Sequence, residues 1–155
     1  MQKREFFDRF RPSKKHELKP IAPPYFGGEF NCAKCNGFCV SSCKRNVIVF
    51  SENKVSLNFK KNGCNFCQDC AKACESLGNG VLSLKFDEKI TAKTSIDVST
   101  CLAWNDVICC NCQDVCKYKA IEFLGVFRPV INEKCVNCGE CISACFKQSI
   151  DIKAV

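Results

Sequence analysis

Cys135, Cys138, Cys141 and Cys145 stand in a C-x2-C-x2-C-x3-C run. Three thiolates two residues apart, with a fourth one helical turn further on, form the spacing that holds a [4Fe–4S] cluster. Cys64, Cys67, Cys70 and Cys74 repeat that spacing without change. Two looser groups complete the set. Cys32, Cys35, Cys39 and Cys43 read C-x2-C-x3-C-x3-C, and Cys101, Cys109, Cys112 and Cys116 read C-x7-C-x2-C-x3-C. Four groups of four use sixteen of the seventeen cysteines and leave Cys110 over. The chemistry such groups do is one-electron transfer, and the expected cofactors are four [4Fe–4S] clusters.

Other uses of cysteine fit less well. A disulfide scaffold is the common meaning of a cysteine-rich short chain, but here the count is odd, no signal peptide is evident, and the cysteines fall into tight fours rather than spreading out as bridge partners. Zinc ribbons also use C-x2-C pairs. They call for two separated pairs, not four cysteines within eleven residues. Cys109 is preferred to Cys110 as a ligand because it keeps the C-x2-C spacing with Cys112, and Cys110 is expected as a buried free thiol.

Seventeen of 155 residues are cysteine, so of the 46% counted hydrophobic only about 35% are conventional apolar side chains. That is a lean core, and clusters would replace part of it, coupling folding to their insertion. The formal charge of +7 suggests nucleic acid until the cofactors are counted. An oxidised cluster with four thiolates carries about −2, so four bring the loaded protein close to neutral. The lysines then read as counter-charge to buried anionic clusters, and no nucleic-acid partner is expected.

The elements that must position these groups are short. Met1 to Lys19 carry seven basic side chains and lack the apolar run of an export signal. They are expected as a flexible basic tail over 1–19, with His16 a solvated residue of it. No stretch of 18 apolar residues could span a membrane. Pro20 to Gly28 is a proline strap, anchored by Phe26 and Phe30. Strands are predicted over Val47–Phe50 and Val55–Phe59 with a turn between them, then over Val81–Phe86, Ala120–Leu124, Val130–Ile131 and Ile150–Val155. The polar stretch from Asp87 to Thr100 is the candidate boundary between modules.

Twenty residues separate Cys43 from Cys64, 26 separate Cys74 from Cys101, and 18 separate Cys116 from Cys135. The shorter gaps pair the first group with the second and the third with the fourth. The expected fold is α+β: two tandem bacterial 2[4Fe–4S] ferredoxin-like modules, 20–95 and 96–155, with four cluster-binding repeats. In two-cluster ferredoxins the fourth cysteine of each run crosses to the other cluster. By that analogy, Cys32, Cys35 and Cys39 take Cys74, and Cys64, Cys67 and Cys70 take Cys43. In the second module Cys101, Cys109 and Cys112 take Cys145, and Cys135, Cys138 and Cys141 take Cys116. Ferredoxin runs place proline after the fourth cysteine, whereas Lys44, Glu75, Lys117 and Phe146 follow here. Less rigid loop exits and oxygen-labile clusters are expected from that departure.

The chain resembles the NapF family, the ferredoxin-type accessory proteins of periplasmic nitrate reductase systems. The resemblance covers about residues 22 to 155. It rests on Ala22-Pro23-Pro24-Tyr25 ahead of the first group, Phe66 to Cys74, Cys101-Leu102-Ala103-Trp104, and Cys112-Gln113-Asp114-Val115-Cys116 followed by Ala120-Ile121. It implies a cytoplasmic protein that acts on the molybdenum-containing catalytic subunit before export, by delivering electrons or supporting cluster assembly. An electron-wiring subunit of another respiratory or dehydrogenase complex is the alternative. No glycine-rich nucleotide loop, flavin motif or histidine-centred catalytic group points to an enzyme.

Overall fold

The computed structural model describes residues 19–33 and 35–155. The tail expected over 1–19, with His16, lies outside them except for Lys19. Helices and strands alternate in a mixed α+β arrangement: α1 Phe38–Ser42, β1 Ile48–Ser51, β2 Lys54–Leu57, α2 Asp69–Ser76, β3 Ala92–Ile96, a 3-10 turn over Ala103–Asn105, α3 Asn111–Asp114, β4 Ile121–Phe123, β5 Pro129–Ile131, α4 Glu140–Ala144 and β6 Ile150–Ala154. Among the described residues no helix is long and apolar enough to cross a membrane.

The strands form three antiparallel pairs, β1 with β2, β4 with β5 and β3 with β6. The first hairpin forms where expected. Its two connecting residues, Glu52 and Asn53, both adopt positive φ, 49° and 57°. That is the two-residue turn whose twist suits a hairpin, and it sets Ile48 opposite Leu57. Pro129 opens the edge strand β5, where it costs no ladder hydrogen bond, and lies opposite Phe123. Trp104 ties the 3-10 turn to that strand by donating its indole N–H to the Pro129 carbonyl at 3.0 Å.

Two strand expectations change. Val81–Phe86 is reduced to a single bridge, Leu82 opposite Phe26. The chain then turns, with the Phe86 amide donating to the Ser83 carbonyl at 3.0 Å. The turn is fastened by Glu75, whose Oε1 accepts from the Ser83 hydroxyl at 2.6 Å and the Leu84 amide at 2.9 Å. Conversely, the polar stretch 87–100 contains β3, which pairs with β6 over its full length, Ile96 opposite Ile150. A division at 95/96 passes through this strand.

The proline strap lies antiparallel to the segment after α2. The Ser83 amide donates to the Tyr25 carbonyl at 2.9 Å, and the Tyr25 amide to the Asp87 carbonyl at 3.1 Å. Phe26 and Phe30 stack on each other with ring centroids 4.5 Å apart. The main core gathers Val47, Ile48, Val55, Leu57, Phe59, Leu82 and Ile90 around buried cysteines. A second, much smaller core has only Cys112, Ile121 and Ile150 fully buried. Ile142 on α4 packs against both, so the two are joined.

Candidate iron–sulfur sites

The helices are short because their work is to aim cysteines. In each group the third cysteine lies in the first turn of a helix: Cys39 in α1, Cys70 in α2, Cys112 in α3 and Cys141 in α4. The fourth lies within α2 for Cys74, at the C-terminal cap of α1 for Cys43 and of α4 for Cys145, and just past α3 for Cys116. The loops ahead of α2 and α4 curl through left-handed residues on either side of the second cysteine. Phe66 and Gln68 flank Cys67 (φ 56° and 67°), and Asn137 and Gly139 flank Cys138 (φ 58° and 79°).

Four cavities result, each lined by four cysteines. Cys32, Cys35 and Cys39 share one with Cys74 (site 1). Cys64, Cys67 and Cys70 share one with Cys43 (site 2). Cys101, Cys109 and Cys112 share one with Cys145 (site 3), and Cys135, Cys138 and Cys141 share the last with Cys116 (site 4). In every case three cysteines come from one group and the fourth from its neighbour. Among the described residues the thiols do not converge on a point, as ligands of a single ion would; they stand around a space. All seventeen are free thiols.

Electrostatics in these cavities favour a positively charged occupant. Burial pushes the Cys39, Cys64 and Cys112 thiols up to about 11 and those of Cys70 and Cys141 to about 12, and neighbouring cysteines of the same cavity add to the shift. Four sulfurs that cannot ionise together suit iron, whose charge would hold them as thiolates. Backbone amides also point at the sulfurs. Leu82 donates to Cys74 Sγ at 3.3 Å, Ala120 to Cys116 Sγ at 3.2 Å and Ser149 to Cys145 Sγ at 3.3 Å. The donor set therefore fits an iron–sulfur cluster in each cavity.

Three of the four exits without proline are closed turns. Asn46, Lys119 and Gln148, each three residues past a fourth cysteine, adopt φ of 53°, 49° and 53°. Their amides donate back to the Cys43, Cys116 and Cys145 carbonyls at 2.9, 3.1 and 2.9 Å. These turns stand where ferredoxin runs place proline, and after Cys74 the chain continues in α2.

Cys110 lines none of the four cavities and is exposed rather than buried. Its thiol donates to Asp114 Oδ2 at 3.2 Å, and that carboxylate raises its pKa. Burial is not imposed on it because α3 begins at the next residue and turns Cys112, two positions on, into the cavity.

Sequence reasoning missed the side chains that brace the loops. Asn137 accepts from the Thr94 hydroxyl at 2.8 Å and donates to the Ile90 and Ala92 carbonyls at 3.3 and 2.8 Å, fastening the site 4 loop to β3. Arg45 donates to the Gly63 carbonyl at 3.1 Å and forms an ion pair with Glu140. Asn137 and Glu140 lie inside a cysteine run, where spacing alone does not distinguish them from other intervening residues. Arg45 meets its partners only in the folded chain.

Residues 128–151 match the family described as "4Fe-4S binding domain". Over 136 residues, 81% of this chain and 79% of the relative, the chain is 35% identical to "Ferredoxin-type protein NapF" of Escherichia coli (strain K12). It is 29% identical over 123 residues, 58% of this chain and 69% of the relative, to an uncharacterized protein of Haemophilus influenzae. No solved structure matches. With its cysteine cavities and a close relative covering most of both chains, this protein belongs to the NapF family of ferredoxin-type proteins.

Proposed function

We propose that the chain carries four [4Fe–4S] clusters, one in each cavity and held by the four cysteines that line it, in two tandem ferredoxin-like modules. The observation that carries this reading is the four-sulfur lining of all four cavities. The modular reading is supported by a recurring plan. A leading segment lies antiparallel to the trailing one in each half: the strap on Leu82 in the first, and β3 on β6 in the second. Within that frame each half holds two cysteine groups with a hairpin, β1–β2 or β4–β5, between them.

Bound clusters supply one-electron redox chemistry. The residues around them hold sulfur and donate hydrogen bonds to it; no acid, base or nucleophile is required. We read the protein as an electron-transfer or maturation accessory to the molybdenum catalytic subunit of periplasmic nitrate reductase, acting in the cytoplasm before that subunit is exported. Exposed apolar side chains near site 3, Ile108 at 85% and Phe146 at 67% exposure, are suited to contact with a protein partner.

The test is iron and acid-labile sulfide per chain in protein purified without oxygen, followed by capture of the catalytic-subunit precursor. About sixteen of each supports four clusters. About eight rejects the four-cluster count, and zinc without sulfide rejects the redox reading. Capture of another redox enzyme in place of the precursor would favour a wiring subunit.

A further inference from the structure

Sites 2 and 4 meet back to back. The Cys64 amide donates to the Cys138 carbonyl at 2.7 Å, joining a residue that lines site 2 to one that lines site 4. The glycine beside each of these cysteines permits the approach. A Cβ on Gly63 would stand 2.5 Å from the Glu140 nitrogen, and one on Gly139 would collide with the Phe59 ring. Phe66, lining site 2, and Tyr118, lining site 4, pack edge to face with centroids 6.5 Å apart. Arg45 and Glu140 clasp the junction. Arg45 holds the Gly63 carbonyl and pairs with Glu140, whose other oxygen accepts the Gly63 amide at 3.4 Å.

Within each half the two sites are coupled through shared helices. α2 carries cysteines of both site 1 and site 2, and α1, with Cys43 at its C-terminal cap, does the same; α3 with Cys116 just past it, and α4 with Cys145 at its cap, do so for sites 3 and 4. No junction residue lines site 1 or site 3. We propose that the four sites form one unbranched series in the order 1–2–4–3, and that Arg45 and Glu140 are positioning residues holding site 2 against site 4. The inference rests on the four-cluster reading. The order differs from that of the chain, because the second module presents its later cysteine group to the first. Electron exchange falls steeply with separation, so this contact decides whether the two halves conduct as one.

The experiment is electron paramagnetic resonance on the reduced full-length protein, emptied at two sites at a time. Cys35→Ala with Cys109→Ala leaves sites 2 and 4, and split or broadened lines from magnetic interaction are expected. Cys67→Ala with Cys138→Ala leaves sites 1 and 3, and sharp, independent lines are expected. Iron separates the two possible failures. If these variants hold about eight irons but the 2–4 pair is sharp, or the 1–3 pair interacts, the order is overturned and the clusters stand. If the parent chain binds no iron and sulfide, the four-cluster reading falls and takes the order with it. In the 2–4 protein, Arg45→Ala should abolish the splitting at unchanged iron content. Arg45→Lys, which keeps the charge and a donor, should restore part of it. Splitting unaffected by Arg45→Ala would reject the positioning role.

Discussion

The amide of Ala120 points at the sulfur of Cys116 from 3.2 Å. Ser149 stands in the same relation to Cys145, at 3.3 Å. A hydrogen bond to sulfur stabilises the more negative, reduced form of a bound cluster and so raises its potential. Ala120→Pro deletes one donor at site 4. About 1 kcal/mol of differential stabilisation corresponds to roughly 40 mV for a one-electron couple, so redox titration should find the site 4 potential lower by about that amount. An unchanged potential at full iron content would refute the role of the bond.

Gly139 combines a positive φ of 79° with the Phe59 ring where a Cβ would go. Gly139→Ala should therefore destabilise the loaded protein by about 2–4 kcal/mol through backbone strain and overpacking. Phe59→Leu makes room for the methyl group. In denaturant unfolding the double variant should lose less than the sum of the single losses, with the backbone share remaining. Strict additivity would show that the ring contact is of no consequence.

Cluster loading should depend on pH. The Cys39, Cys64 and Cys112 thiols at about 11, and Cys70 and Cys141 at about 12, are protonated at neutral pH and must release protons to bind iron. Reconstitution followed by visible absorbance should go further at about pH 9 than at about pH 7, with measurable proton release. For the unloaded folded chain the sign reverses. Its buried thiols titrate above the ordinary value of 9.0, so they bind more protons than the unfolded chain does. The stability they contribute is intact below pH 9 and is lost as pH rises through 11 to 12. Thermal unfolding of the unloaded chain across that window would reveal the loss.

Cys109 and Cys110 are adjacent yet should behave oppositely. Cys109→Ala should lower iron by about four per chain, while Cys110→Ala should leave it unchanged. In the loaded protein Cys110, exposed and paired with Asp114, should be the thiol that alkylates. Asp114→Asn removes the carboxylate that raises its pKa, and the alkylation rate near neutral pH should rise severalfold. A rate unaffected by the substitution would mean that the pair does not hold in solution.

How much of this was legible in the sequence follows from the range of each determinant. The grouping of Cys64 to Cys74 and of Cys135 to Cys145 is local, so spacing sufficed. The hairpin of β1 and β2 was legible for the same reason. β3 was not: Ala92-Lys93-Thr94-Ser95-Ile96 has no strong alternation, and its partners are β6 and the Asn137 side chain, both distant in sequence. Val81–Phe86 has the alternation of a strand, but Glu75 captures Ser83 and Leu84 and bends it. The Arg45–Glu140 clasp joins two unremarkable positions that only the folded chain brings together. Cys110 resembles a core thiol by type, and its surroundings alone reveal the exposure.

Each cavity draws three sulfurs from one cysteine group and one from the other group of its half. During synthesis, therefore, neither cavity of a half is complete until the third cysteine of its second group has been made. Site 1 has its first three sulfurs once Cys39 is translated but must wait for Cys74, four residues after Cys70 has completed site 2. In the second half site 4 is completed at Cys141 and site 3 four residues later, at Cys145. The lining of the cavities thus divides biogenesis into two closely spaced pairs of completions, and a ribosome stalled between Cys74 and Cys141 would carry a chain able to receive two clusters but not four.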